Sequence, residues 1–209
     1  MFQNGNLVVL YCNMISIYMK RILLLCSIAV GMGSMQAIAQ ELKPKHLDFL
    51  NTHHIALTDR TKLLEQLEQS KAPLRLVVTF TNHCVGTPGM FASVVKWKQQ
   101  YGNDLDVYLC SSAPRNELDD LAALPAKHGY TGQVYLIDPA VYRDSWKEDR
   151  EKGFAFRKAI CEPCKVDEIG TPYYIFYNDK NEPVFFGYQS RKDLDGMLSK
   201  YLEYAKAGL

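Results

Sequence analysis

The sequence predicts an α/β protein built on a mixed sheet, with parallel core strands, a C-terminal antiparallel hairpin and helices on both faces. Three observations predict it. Apolar, β-branched runs alternate with amphipathic stretches through the middle of the chain, the order expected of parallel strands joined by right-handed crossovers. The last two apolar runs, "YYIFYN" and "PVFFGY", are joined only by Asp179-Lys180-Asn181-Glu182, a hairpin signal. A helical stretch then closes the chain, so the expected order is β-α-β-α-β-α-β-β-α.

The N-terminus reads as a leader. Met19-Lys20-Arg21 precedes an apolar stretch, Ile22 to Met35, which runs on to Ala37-Ile38-Ala39. A basic head, a short apolar core and an A-x-A site describe a secretory signal peptide. Cleavage is expected after Ala39, leaving Gln40 first. The alternative is a retained membrane anchor, but a span needs roughly 20 apolar residues and this stretch is shorter. Residues 1–18 precede the natural-looking start at Met19 and read as a mis-assigned upstream start. The expected organisation is signal peptide 19–39, an N-terminal helical lead-in 40–72 and the main domain 73–209. The expected location is periplasmic or otherwise exported.

Of 24 basic and 23 acidic residues, the leader holds Lys20, Arg21 and no acid, so the mature part carries a net charge of −1. The charges are interspersed, without a basic block, which argues against a nucleic-acid partner. A mature chain of this length is enough for one domain with a real core.

Each element has its own signal. Asp59 reads as the N-cap of "RTKLLEQLEQSK", where Leu63, Leu64 and Leu67 form an apolar stripe. "LRLVVTF" is a buried strand. "MFASVVKWKQQYG" is an amphipathic helix stopped by Gly102. "LDVYLCSS" is the second strand. Pro114 to His128 holds a helix interrupted by Pro125. "GQVYLIDP" is the third strand, and "VYRDSWKEDREKGFAFRKAI" is a polar helical stretch with Gly153 in its middle. Ser190 opens the last helix, "RKDLDGMLSKYLEYAKA". Glu41 to Leu57 reads as lead-in, partly helical.

Six cysteines become four on maturation: Cys84, Cys110, Cys161 and Cys164. In an oxidising compartment these read as one or two specific bridges or as reactive thiols. Cys84 follows the first strand in "FTNHCVGTPGMF", with Thr87 three residues on. A thiol at a helix N-terminus is favoured as thiolate, and His83 can add positive charge. Thr87-Pro88, however, also reads as N-cap and N1, which leaves Cys84 three residues outside the helix. The bland alternative is a buried, inert cysteine. Cys161-Glu162-Pro163-Cys164 suits a structural disulfide, a redox pair exchanging electrons with Cys84, or half of a zinc site. Cys110 reads as a core cysteine, with pairing to Cys84 as the alternative. Copper handling by His83, Cys84 and the distant pair has suitable soft ligands. No zinc-like or copper-like spacing accompanies these residues, so neither a metal nor another cofactor is expected.

From Pro73 to Leu202 the chain resembles the thioredoxin-fold superfamily, most of all the exported bacterial thioredoxin-like thiol–disulfide oxidoreductases. Besides the element order, two segments carry the resemblance: "FTNHC" at the family's nucleophile position, and "IGTPYYIFYNDKNEPVFFGY" at its cis-proline strand and hairpin. The resemblance implies a thioredoxin-like mixed sheet. It also implies a cis Pro172, preceded by Thr171 and packed across from Cys84. The chain departs from the family at the nucleophile, where His83 replaces the usual Trp and Thr87 replaces the second Cys of Cys-x-x-Cys.

The residues expected to carry function are Cys84, Cys161, Cys164, Thr87, His83, Thr171 and Pro172. The leading expectation is thiol–disulfide exchange through Cys84, with Cys161/Cys164 as a second redox pair. Its partners are protein thiols or disulfides and an unidentified redox partner. One alternative is a non-catalytic binding module with a structural Cys161–Cys164 disulfide. Another is a thiol peroxidase, suggested by Thr81-x-x-Cys84, although Val77 stands where that motif expects proline.

Overall fold

Strand β2, Leu74–Phe80, is buried along all seven residues. Its side chains alternate between two apolar clusters: Leu74, Leu76, Val78 and Phe80 enter one, and Val77 enters the other. A strand buried on both faces explains why "LRLVVTF" reads as a continuous apolar run. The computed structural model describes residues 42–142, 149–164, 170–188 and 191–207, all within the compact unit Ala39–Leu209. The expected signal peptide, residues 19–39, the expected upstream start, residues 1–18, and the expected cap Ser190 lie outside the described residues.

Six strands form one sheet in the order β1-β4-β3-β2-β5-β6. β3, Leu105–Ser111, pairs parallel with β2, and β4, Val134–Ile137, pairs parallel with β3. β5, Tyr173–Tyr177, runs antiparallel to β2 with Thr79 opposite Tyr173 and Arg75 opposite Tyr177. β6, Pro183–Gly187, completes the antiparallel hairpin. The mixed sheet therefore matches the expectation in strand direction, with parallel core strands and an antiparallel C-terminal hairpin.

Helices cover both faces. On one lie α1, Pro44–Thr52, α3, Thr87–Tyr101, α4, Leu118–Lys127, and α6, Arg191–Ala207; they contribute Leu50, Phe91, Leu121 and Leu198 to the larger cluster. The other face is covered by α2, Arg60–Gln69, and α5, Asp149–Ile160, through Leu63, Leu67, Phe156 and Ile160. Asp59 caps α2 as expected, accepting from the Lys62 N–H. α3 is tied to α6 by the buried Trp97, whose indole N–H donates to Asp195 at 2.5 Å.

Two elements differ from the sequence reading. The segment read as a partly helical lead-in also supplies β1, Ile55–Thr58, which pairs parallel with β4 at the sheet edge. Four residues with only Ile55 and Thr58 fully buried give too short a pattern to stand out. Nor does Pro125 interrupt its helix, because α4 runs unbroken to Lys127. The proline lies in the last turn, where a missing N–H removes one bond and nothing beyond it depends on the helix continuing.

Candidate active site

The site lies where β2 delivers the chain to α3. Thr81 follows the strand and accepts two bonds on its carbonyl, from the Cys84 N–H at 3.4 Å and from the Thr87 hydroxyl at 2.8 Å. A turn then closes with the Thr87 N–H on the Cys84 carbonyl at 2.9 Å. Gly86 is the N-cap and Thr87 the first helical residue, so Cys84 stands outside the helix. The macrodipole falls off within a turn and reaches the sulfur only weakly. Thr87 is fully buried and is not the cap; its hydroxyl satisfies the end of β2 instead.

Cys84 is a free, partly exposed thiol whose Sγ donates to the Thr171 carbonyl at 2.7 Å. The Thr171–Pro172 peptide bond is cis. The hydroxyls of Thr81 and Thr171 lie 3.3 Å apart and share a hydrogen bond. Gly86 meets Pro172 so closely that a Cβ there would sit 2.8 Å from the proline Cδ, which explains glycine at this position. Val85, beside the sulfur, is almost wholly exposed. His83 Nε2 lies 3.2 Å from a Glu117 carboxylate oxygen and 3.9 Å from Asp120. The positive charge that His83 carries when protonated is therefore shared with two carboxylates at the start of α4. Behind the sulfur, burial and then the neighbouring Cys84 push the Tyr174 phenol up to about 12.

Cys161 and Cys164 are bonded to each other across a Cα–Cα distance of 5.3 Å. Both are buried, in the cluster that also holds Cys110, Leu63 and Leu67, on the face away from α3. The Tyr177 hydroxyl, at the far end of β5, donates to the Ile160 carbonyl just before Cys161 at 2.9 Å. Thr171 and Pro172, which meet Cys84, precede the other end of β5. The two ends of the five-residue strand are four steps apart, about 13 Å at the usual rise. Cys110 is a free, fully buried core cysteine, and burial raises its thiol far above the ordinary range.

The fold thus brings together Cys84, Thr87, Thr171 and Pro172, with His83 adjacent, and pairs Cys161 with Cys164 elsewhere. Among the described residues, no group of three or more His, Cys, Asp or Glu side chains is placed to hold a metal ion, and no helix is long and apolar enough to cross a membrane. Two contributors escaped the sequence reading. One is Gly86. The other is Arg157 on α5, which is 1% exposed and donates through Nη1 to Thr79 Oγ1 at 3.1 Å and to the Gly170 carbonyl at 3.3 Å.

A four-stranded parallel core, an antiparallel hairpin, a cysteine turn after the central strand and a cis-proline before the hairpin decide the architecture. The fold is thioredoxin-like. No protein-family model matches the chain, and no curated protein matches it. Solved structures with thioredoxin-like folds resemble it in outline. One is the thioredoxin domain of a thiol-disulfide oxidoreductase from Bacteroides vulgatus, with 14% identity over 65% of this chain and 84% of that one and a TM-score of 0.47. Another is a thiol:disulfide interchange protein, a thioredoxin family protein, from Chlorobium tepidum TLS, with 13% identity over 66% and 83% and a TM-score of 0.48. A third, a thiol:disulfide interchange protein from Bacteroides sp., has 17% identity over 68% and 81% and a TM-score of 0.47. The thioredoxin-like assignment rests on strand order, strand direction and the two loops, not on these similarities.

Proposed function

We propose that this chain is an exported thiol–disulfide exchange protein that works through a single nucleophilic sulfur, Cys84. The observation that carries the reading is a free, partly exposed thiol held against the carbonyl of Thr171 beside cis Pro172. The reactive form is the thiolate; loss of the Cys84 proton to water gives up the hydrogen bond to the Thr171 carbonyl and frees the sulfur to attack. The thiolate attacks one sulfur of a partner disulfide. The Cys84–sulfur bond forms as the partner's S–S bond breaks, and the second partner sulfur leaves as a thiolate. Thr87 offers no second thiol to resolve the mixed disulfide, so an external thiol does so. It takes the partner's sulfur into a new disulfide and returns Cys84 reduced. The expected partners are protein thiols and disulfides together with a separate redox partner. Export follows from the leader motif, cleaved after Ala39; the chain meets the membrane only if that segment is kept as an anchor.

In this reading Cys161–Cys164 is a structural clamp on the end of α5. Its burial, its place on the opposite sheet face and its link to the far end of β5 support that role over a direct relay to Cys84. The same burial favours a second reading, a non-catalytic binding module that keeps the fold and the clamp. The peroxidase reading draws less support, because the Thr81 hydroxyl is engaged with Thr171. The deciding experiment incubates residues 40–209 with a cystine-containing peptide and follows adducts by mass spectrometry. The wild type is expected to accumulate a mixed disulfide at Cys84, and Cys84→Ala to lose exchange. Full activity in Cys84→Ala removes Cys84 as nucleophile. No adduct in the wild type leaves the binding module.

A further inference from the structure

We propose that Arg157 is a positioning residue for the Cys84 site, acting through the sheet from the face opposite α3. The proposal deepens the reading of Cys84 as an exchange thiol and rests on it for its functional meaning. One guanidinium nitrogen grips both segments that frame the sulfur. Nη1 donates to Thr79 Oγ1 at 3.1 Å, near the end of the strand that delivers Cys84. It also donates at 3.3 Å to the carbonyl of Gly170, the residue before Thr171, whose own carbonyl accepts a hydrogen bond from the Cys84 thiol. The guanidinium carbon lies 4.9 Å from the Tyr173 ring centroid, the residue after Pro172 and the cross-strand partner of Thr79. Tyr188 completes the frame by accepting the Gly170 N–H and packing edge-on against Tyr173 at 4.9 Å. Residues 170–173 are thus held from below by one buried cation and from the side by one phenol. A buried charge is costly, and an apolar side chain fills such a space with less penalty. Its hydrogen bonds here go to the two segments whose separation sets the Cys84 Sγ to Thr171 contact.

The test reads that contact directly. The S–H stretch of Cys84 is isolated by Raman difference between each variant and its Cys84→Ser counterpart, since Cys110 contributes equally to both. Exchange with the cystine peptide is measured on the same samples, with a melting curve to establish folding. Arg157→Met is expected to move the band towards that of a free thiol and, by releasing the bond that holds Cys84 in its thiol form, to speed exchange by up to about tenfold, the fold-change matching one neutral hydrogen bond. Arg157→Lys keeps a charged donor of similar reach and is expected to retain both the band and the wild-type rate. A folded Arg157→Met with an unmoved band overturns the proposal. If Arg157→Met does not fold, Thr79→Val removes one of the two acceptors at equal volume; the band is expected to move the same way, and an unmoved band overturns the proposal. A band that moves in a protein showing no exchange supports the positioning role while sinking the exchange reading.

Discussion

Two four-residue turns in this protein share a closing hydrogen bond and have opposite chemistry. Cys84-Val85-Gly86-Thr87 and Cys161-Glu162-Pro163-Cys164 are each closed by a bond from the fourth N–H to the first carbonyl, at 2.9 and 3.2 Å. The first turn leads into α3 at the open end of β2, with its sulfur partly exposed and Val85 bare beside it. The second trails α5 with both sulfurs buried and joined. A thiol one turn from a second thiol makes a bridge; a thiol one turn from a threonine stays free. Whether either reacts is set by which end of the sheet the turn occupies and how much water reaches it.

The sharpest way to break the contrast is to make the first turn like the second. Thr87→Cys is expected to convert almost wholly to a disulfide between Cys84 and the introduced thiol under mild air oxidation, because the matching turn already holds its Cα atoms 5.3 Å apart. Alkylation and intact mass read it, and a Cys84 that stays fully alkylatable shows that the two turns differ in more than their last residue. Next, the clamp can be removed. Cys161→Ala with Cys164→Ala is expected to lower stability by about 2 kcal/mol, the loop-closure value for so short a ring. Denaturant unfolding measures it. Exchange at Cys84 is expected to continue, and its loss would revive the relay between the two sites.

A smaller change sharpens the packing of the first turn. In Gly86→Ala the new Cβ meets Pro172 Cδ at 2.8 Å, so one segment must shift. The expected cost is about 1 kcal/mol, at the low end for overpacking because the site is partly exposed, and the Cys84 S–H band should move as the sulfur leaves Thr171. The smallest effect concerns pH. Each turn leans on a buried phenol, Tyr174 behind Cys84 and Tyr177 behind the disulfide, and burial raises both, Tyr174 to about 12. Raised folded-state values mean that stability is complete below the unfolded tyrosine range, about 10, and is lost as pH rises through the folded values. Denaturant midpoints measured from pH 7 upward should hold steady to about 8.5, where loss from the buried Cys110 thiol begins, and fall more steeply above about 10 as the tyrosines join it. A midpoint that drops well before that range contradicts the assignment.

Much of the fold was legible because its elements bury full faces. β2 is apolar throughout, α2 carries its cap and its leucine stripe, and the Asp179-Lys180-Asn181-Glu182 turn announces the hairpin. β1 was not legible, since four residues at a parallel edge lean on β4 for their pairing and carry little pattern of their own. Of the candidate site, Cys84, Thr87 and Pro172 stood out as chemical types. Arg157 and Gly86 did not, because each matters only through residues distant in the chain.

By itself the sequence determined where most strands, helices and turns form, though not the edge strand β1, which positions carry sulfur, and that Thr87 offers Cys84 no partner within its own turn. These are local properties of residue type and spacing, set by hydrophobic periodicity and side-chain chemistry. Only the tertiary structure decided that Cys84 meets the carbonyl of Thr171, that the second cysteine pair lies buried on the opposite face, and that Arg157 holds the frame between them. These depend on which strand lies beside which. Strand order joins residues nearly ninety positions apart, and no local pattern encodes that.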